Sequence, residues 1–81
     1  MEKSELVAIL RSDKAEFQRI RDRDPRAEVD LSDADLTGCD LTGAPLAGVK
    51  LTNACLRDAD CTKAVFRFAD LCCADLRGSK L

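Results

Sequence analysis

The sequence predicts an all-β solenoid of fewer than three coils that begins with an α-helical cap. From Val29 onward, a large apolar residue recurs at every fifth position, and a small or slim residue stands two positions before each one. This register holds to Leu81 without an insertion or deletion. A period of five fits neither the 3.6-residue period of a helix nor the two-residue period of a strand. We therefore expect a chain that turns a corner every five residues.

Such a coil points its large and small periodic residues inward and its other three positions toward water. Four corners close one square rung, so residues twenty apart stack at the usual strand spacing of ~4.8 Å. Backbone groups then pair between rungs. The predicted inward core consists of the large periodic residues Leu31, Leu36, Leu41, Leu46, Leu51, Leu56, Cys61, Phe66 and Leu71. Cysteine suits this core because it packs as a small hydrophobe.

Several repeats share one signature, which is clearest in the runs that begin at Ala34, Ala59, Ala69 and Ala74. These runs read ADLTG, ADCTK, ADL and ADLRG, and they resemble the A-(D/N)-L-x-x signature of pentapeptide-repeat proteins. The resemblance covers residues 29–81. It implies a right-handed quadrilateral β-helix. A leucine-rich horseshoe or a coiled coil needs a different period.

Residues 1–28 are predicted to form a helical cap on the repeat segment, which spans residues 29–81. The cap is expected to contain two short helices, at about 4–11 and 14–23. Ser4 is the expected N-cap of the first helix, and the spacing of Asp13 and Glu16 is typical of a capping box that opens the second. Pro25 predicts the end of the second helix. A cap is needed because an open first rung exposes core and unpaired backbone.

One of the four faces of the predicted coil differs from the others in its outward residues. Three faces carry Asp, Thr, Lys and Arg, whereas the fourth carries Pro45, Ala47, Val65 and Phe68 beside Arg67. Contiguous exposed apolar surface tends to mark an interaction site. Two other interpretations stay open: Phe68 folds back over a corner, or the N-terminal segment covers the patch.

The C-terminal end is the second candidate contact surface, and it adds Leu76 and Leu81 to the candidate interface. The repeat register runs to Leu81, so the end is either frayed or packed against a second copy. We expect a homodimer, formed through the C-terminal end or through the face that carries Pro45, Val65 and Phe68. Any other protein partner is unknown from the sequence.

The chain is not expected to be an enzyme, and no catalytic, cofactor-binding or metal-binding residue is predicted. It has no histidine, which removes the commonest general base and metal ligand. Asp40 and Asp60 lie one rung apart, but on a convex wall without a pocket. Cys72 and Cys73 are adjacent and lack the further ligands that a metal site needs. Whether the surface thiols Cys55, Cys72 and Cys73 are reactive stays open.

The composition argues against nucleic-acid and membrane partners. A net charge of −2 leaves no basic footprint for nucleic acid. No apolar run is long enough to cross a bilayer. The odd number of cysteines, five, without a Cys-x-x-Cys motif or a secretion signal, favours reduced thiols and a cytoplasmic location.

Two functions remain open on the sequence. The first is a non-enzymatic structural or protein-interaction module of unknown partner that acts through a rigid β-helical surface. The second follows from the resemblance alone: some pentapeptide-repeat proteins mimic duplex DNA, bind type II topoisomerases and protect them from quinolones. The nearly neutral charge and the small number of coils favour the first.

Overall fold

The computed structural model of the chain describes residues 2–81. Met1, the first residue of the predicted cap, lies outside the described residues. Two helices open the chain, α1 at Lys3–Ser12 and α2 at Lys14–Arg23. Glu2 occupies the N-cap position of α1, so the helix begins earlier than an N-cap at Ser4 allows.

Asp13 alone separates the two helices and interacts with both. Its N–H donates to the carbonyl oxygen of Ile9 at 2.7 Å and so closes the last turn of α1. Its carboxylate accepts the backbone N–H of Glu16 at 3.1 Å and caps the first turn of α2. Helix α2 ends at Arg23, two residues before Pro25.

The repeat segment contains neither a β-strand nor a sheet, and α1 and α2 are the only helices or strands in residues 2–81. The prediction of an all-β solenoid, a right-handed quadrilateral β-helix, was therefore wrong. The reason lies in the period itself. Each five-residue repeat places one residue in a bridge, and the corner that follows takes two residues as a turn. No segment stays extended long enough to form a strand.

Residues 29–81, which we call the repeat stack, are instead held together by isolated parallel bridges between residues twenty apart. Leu36 donates its N–H to the carbonyl oxygen of Cys55 at 2.7 Å, and the N–H of Cys55 donates to Ala34 at 2.8 Å. The bridges join Asp30 to Lys50, Asp35 to Cys55, Asp40 to Asp60, Pro45 to Val65, Lys50 to Asp70, Cys55 to Asp75, and Asp60 to Lys80. Successive twenty-residue turns of the chain are thus stacked through their backbones.

Each corner of the repeat stack contains one residue with a positive φ. Glycine takes this place at four corners, and other residues take it elsewhere: Asp33, Asn53, Asp58, Lys63, Phe68 and Cys73. The left-handed conformation costs a residue with a Cβ roughly 1–2 kcal/mol. Several corners gain support from an aspartate. The Asp35 carboxylate, for example, accepts both the N–H and the hydroxyl of Thr37, at 3.0 and 2.6 Å.

The interior of the repeat stack is filled by the periodic residues. The fully buried leucines are Leu31, Leu36, Leu41, Leu46, Leu51 and Leu56. Cys61 is also buried, whereas Phe66 and Leu71 are only half-buried against the same core. The helices add Leu6, Leu10 and Phe17 to the cluster. Burial is therefore most complete in the part of the stack that lies next to the helices.

Four basic side chains of the N-terminal segment hydrogen-bond to the first turn of the repeat stack, one on each face. Between stacked turns, the carbonyls of the bridge residue and of the first corner residue accept N–H groups from the turn before, as Cys55 accepts from Leu36 and Arg57 from Gly38. The equivalent carbonyls of the first turn have no earlier turn from which to accept. Cationic donors bind such oxygens well. The contacts run from Lys3 to Ser32, Arg11 to Asp35 and Thr37, Lys14 to Thr42, and Arg21 to Pro45 and Ala47.

Candidate functional site

Four of the predicted interface residues lie together on one face of the repeat stack, which we call the Phe68 face: Pro45, Ala47, Val65 and Phe68. A parallel bridge joins Pro45 to Val65, which places the two turns side by side. Pro45 and Ala47 are half-buried, whereas Val65 is 40% exposed and Phe68 is 89% exposed. The Phe68 ring therefore projects into solvent and does not fold back over its corner.

Phe68 is unusual in its backbone as well as in its exposure. Its φ of 60° lies in the left-handed region, where a residue with a bulky side chain is uncommon. The Cζ atom of Arg67 lies 5.7 Å from the centre of the ring, within the range of a cation–π contact. Neither burial nor local conformational preference accounts for a phenylalanine at this corner.

Helix α2 covers part of the Phe68 face. Arg21 donates hydrogen bonds to the carbonyl oxygens of Pro45 and Ala47, which fixes the helix beside these two residues. The N-terminal segment therefore covers the first-turn half of the face and leaves Val65 and Phe68 exposed. The sequence had left open that the N-terminal segment covers this patch, but it did not predict the contacts of Arg21, because the direction in which α2 crosses the stack is not encoded in its own periodicity.

A cavity of about 350 Å³ lies between α2 and the Phe68 face. Pro25, Pro45, Ala47 and Val65 give it an apolar lining, and α2 contributes the polar groups of Gln18, Arg21 and Asp22. The Asp22 carboxylate accepts a hydrogen bond from the Gln18 side-chain amide at 2.9 Å. The same side of the molecule thus carries a projecting aromatic ring and a cavity with an apolar wall on the repeat stack and a polar wall on α2.

The two remaining candidate interface residues lie on other faces of the last turn. Leu76 is half-buried against the core, and Leu81 is 77% exposed. Their neighbours Asp75 and Lys80 bridge to Cys55 and Asp60, not to the Phe68 face. The structure therefore does not join these two residues to Phe68 in one surface.

The outward aspartates are engaged in corner and ion-pair contacts. Hydrogen bonds from Ser or Thr two residues ahead lower the pKa of Asp30, Asp35, Asp40 and Asp60. Hydrogen bonds from Arg77, with Arg57 3.3 Å away, lower the pKa of Asp75 to about 2. Asp40 and Asp60, which are joined by a bridge between turns, are thus two carboxylates with lowered pKa values.

The five cysteines are all free, but their surroundings differ. Burial raises the pKa of Cys39 and of Cys61. Cys55 is half-buried, with its sulfur 3.1 Å from the hydroxyl of Thr37. Cys72 and Cys73 are both exposed. Among residues 2–81, no three His, Cys, Asp or Glu side chains converge as a metal-ion site.

Neither helix in the described part of the chain is long and apolar enough to cross a membrane.

The sequence model of the family described as pentapeptide repeats matches residues 27–60 and 44–81, with 8 copies of the repeat. These matches cover more than half of the chain, so the chain belongs to the pentapeptide-repeat family. Membership suggests a protein-interaction module. No curated protein and no solved structure matches the chain significantly.

Proposed function

We propose that the chain is a non-enzymatic protein-interaction module that self-associates through the Phe68 face. The observation that carries the proposal is Phe68 itself, which is 89% exposed and held at a φ of 60°. Exposure and backbone strain both disfavour this residue in an isolated copy. A contact that buries the ring supplies the stabilisation that the isolated chain lacks.

A two-fold contact between two copies suits the shape of this surface. In such an interface the same patch serves both partners, so each residue contact occurs twice. The Phe68 ring of one copy enters the cavity beside α2 of the other, and the reverse contact forms at the same time. Burial of a phenylalanine side chain contributes about 1.5–3 kcal/mol, and the two-fold axis doubles it.

The charges on this side of the molecule support the same arrangement. Arg67 lies beside the projecting ring, and Asp22 lines the cavity that receives the ring in the proposed dimer. The guanidinium of Arg21 also lines this cavity but is directed to the carbonyls of Pro45 and Ala47. Entry of Phe68 therefore brings Arg67 of one copy toward Asp22 of the other. Such complementarity sets the register of an interface more than its affinity.

Sedimentation velocity over a range of protein concentrations tests this proposal. Wild type is expected to dimerise, and Phe68→Asp to remain a folded monomer. Asp22→Lys and Arg67→Glu are each expected to weaken the dimer, and their combination in one chain to restore it. Leu81→Asp is the matched control, since it changes an exposed apolar residue at the C-terminal end.

Three outcomes would overturn the proposal. A wild type that stays monomeric at high concentration removes the self-association. A dimer that is lost in Leu81→Asp but kept in Phe68→Asp moves the contact to the C-terminal end. A combined charge exchange that fails to restore the dimer contradicts the two-fold pairing of Asp22 with Arg67.

A supercoiling assay distinguishes the proposed self-association from a topoisomerase-binding role, and its result does not depend on the oligomeric state of the chain. Charges alternate along one column of the repeat stack, as in the bridges from Asp30 to Lys50 and from Lys50 to Asp70. That alternation does not imitate the continuous negative charge of duplex DNA. We therefore expect no inhibition of supercoiling by a type II topoisomerase.

Five free cysteines support a cytoplasmic location within the same proposal.

A further inference from the structure

Cys72 and Cys73 form a pair of exposed thiols on the last turn of the repeat stack. Their sulfur atoms lie 3.6 Å apart. The backbone beneath them is fixed, since the N–H of Asn53 donates to the Cys72 carbonyl at 2.9 Å and the Cys72 N–H donates to the Asp70 carboxylate at 3.0 Å. Both sulfurs thus lie on the same side of a rigid corner and face solvent together.

The separation of the two cysteines disfavours a direct disulfide. Consecutive Cα atoms lie ~3.8 Å apart across a trans peptide, whereas disulfides need about 4.4–6.8 Å between Cα atoms. No peptide bond is cis in the part of the chain that the structure describes. A direct bond therefore requires the corner to move. An atom that bonds to both sulfurs bridges the observed gap while the backbone stays in place.

The donor set also limits which atom can bind. Two thiols without a third ligand do not form a structural zinc site, which takes four. Thiol ligands favour soft, polarizable centres. A soft trivalent atom that bonds to two sulfurs and keeps one organic substituent fits a site with two thiol ligands.

We propose that Cys72 and Cys73 together form a bidentate binding site for trivalent organoarsenic compounds. With phenylarsine oxide, two arsenic–sulfur bonds form and the arsenic–oxygen bond breaks. The displaced oxygen leaves as water with both thiol protons. Arsenic stays trivalent throughout, so the reaction uses no oxidant or reductant.

The surroundings of Cys72 are consistent with uptake by its protonated thiol. The hydrogen bond with the Cys73 thiol, together with the charge of Asp70, raises the pKa of Cys72. The reaction does not require a preformed Cys72 thiolate, because the water that forms carries both thiol protons away. The site is independent of the Phe68 face, and its failure would leave the proposed dimer untouched.

Titration with phenylarsine oxide, followed by intact-mass measurement under non-reducing conditions, tests the site. Wild type is expected to take up one phenylarsenic group and lose two hydrogens. A dithiol competitor is expected to release the group far more readily than a monothiol. Affinity is expected to fall about a hundredfold or more in Cys72→Ser, because the second bond then no longer forms intramolecularly.

Two further variants separate binding from folding. Cys73→Asn removes the second sulfur but keeps a residue that tolerates the left-handed corner, as Asn53 does one turn earlier. Cys55→Ser is the matched control, since it removes a thiol outside the pair. Retained binding in Cys55→Ser and loss in Cys73→Asn, with unchanged thermal unfolding, support the site. Equal affinity of wild type and Cys73→Asn, or loss of binding in Cys55→Ser, would overturn it.

Discussion

Phe68 occupies the corner that Gly48 occupies one turn earlier, and both backbones are left-handed, with φ of 60° and 71°. The two turns are in contact here, since the N–H of Gly48 donates to the carbonyl of Arg67 at 2.7 Å. Glycine adopts this conformation without a steric penalty, and phenylalanine does not. The same corner is therefore relaxed in one turn and strained in the next.

This relationship predicts the order of stability of two variants that both remove the ring. Phe68→Gly is expected to have a free energy of unfolding about 1 kcal/mol higher than Phe68→Ala, because alanine keeps the left-handed penalty. Urea denaturation at a protein concentration below dimerisation checks this order. An alanine variant as stable as the glycine variant would show that the corner is not strained.

The hydrogen bonds from Arg21 to the first turn predict a loss of stability when this side chain loses its charge. Arg21→Met keeps the length of the side chain but cannot donate to the carbonyls of Pro45 and Ala47. The expected loss is about 1.5–3 kcal/mol, the range for hydrogen bonds with a charged partner. Arg26→Met, which changes an exposed arginine, is the matched control and is expected to unfold like wild type. Equal denaturation midpoints for the two variants would contradict this function of Arg21.

Thr52 and Thr62 occupy equivalent positions but differ in their hydrogen bonds. The Thr62 hydroxyl donates to Asp60 at 2.7 Å. Thr52 lies two residues after Lys50, whereas Thr62 lies two residues after Asp60. The buried hydroxyl of Thr52 therefore lacks the carboxylate partner and has no hydrogen bond. Thr52→Val is therefore expected to raise the melting temperature, because it removes an unsatisfied buried oxygen. Thr62→Val is expected to lower the melting temperature, because it removes the hydrogen bond to Asp60. A lower melting temperature for both variants would exclude this explanation.

Leu56 lies in the fully buried part of the core, and this predicts a large cost for shortening it. Leu56→Ala is expected to lower the free energy of unfolding by about 2–5 kcal/mol, through lost burial and the cavity left behind. Leu81→Ala makes the same chemical change at an exposed position and is expected to have little effect. Chemical denaturation of both variants measures the difference, and similar values would contradict the inward position of Leu56.

The aspartates with lowered pKa values predict acid sensitivity. A carboxyl group whose pKa is lower in the folded chain than in the unfolded chain adds stability above its unfolded pKa, and this stability is lost as the pH falls through the folded pKa. The unfolded value is about 4, and the folded value of Asp75 is about 2. The melting temperature is therefore expected to fall between these pH values. Asp75→Asn is expected to flatten that fall, and an unchanged slope would contradict the contribution of Asp75.

The five-residue period predicts an interior lined by one large and one small side chain from each repeat. In the structure the six leucines from Leu31 to Leu56 are fully buried, whereas Phe66 and Leu71 are only half-buried. The period did not anticipate the absence of strands. The five-residue periodicity specifies which side chains point inward. A strand also requires several consecutive extended residues, and the periodicity does not provide for them. The positive φ at residues such as Asp33 and Asn53 interrupts that extension at every corner.

The sequence predicted the residues that the repeat stack contributes to the candidate site, but not those that α2 contributes. Stacking by twenty places Val65 above Pro45, and this follows from the repeat alone. The contribution of α2 does not, because the placement of Arg21 and Asp22 depends on how the helix crosses the stack. The spacings between Lys3, Arg11, Lys14 and Arg21 are irregular, so the sequence pattern does not mark these four residues as the ones that cap carbonyls.

Phe68 is exposed and strained in the isolated chain, and in the proposed dimer a second copy buries its ring. The most direct test compares the dimer dissociation constants of wild type and Phe68→Gly by sedimentation velocity. Phe68→Gly is expected to be monomeric at concentrations where wild type is dimeric, although its fold is intact. Equal dissociation constants for the two proteins would contradict self-association through the Phe68 face, as would a wild type that never associates.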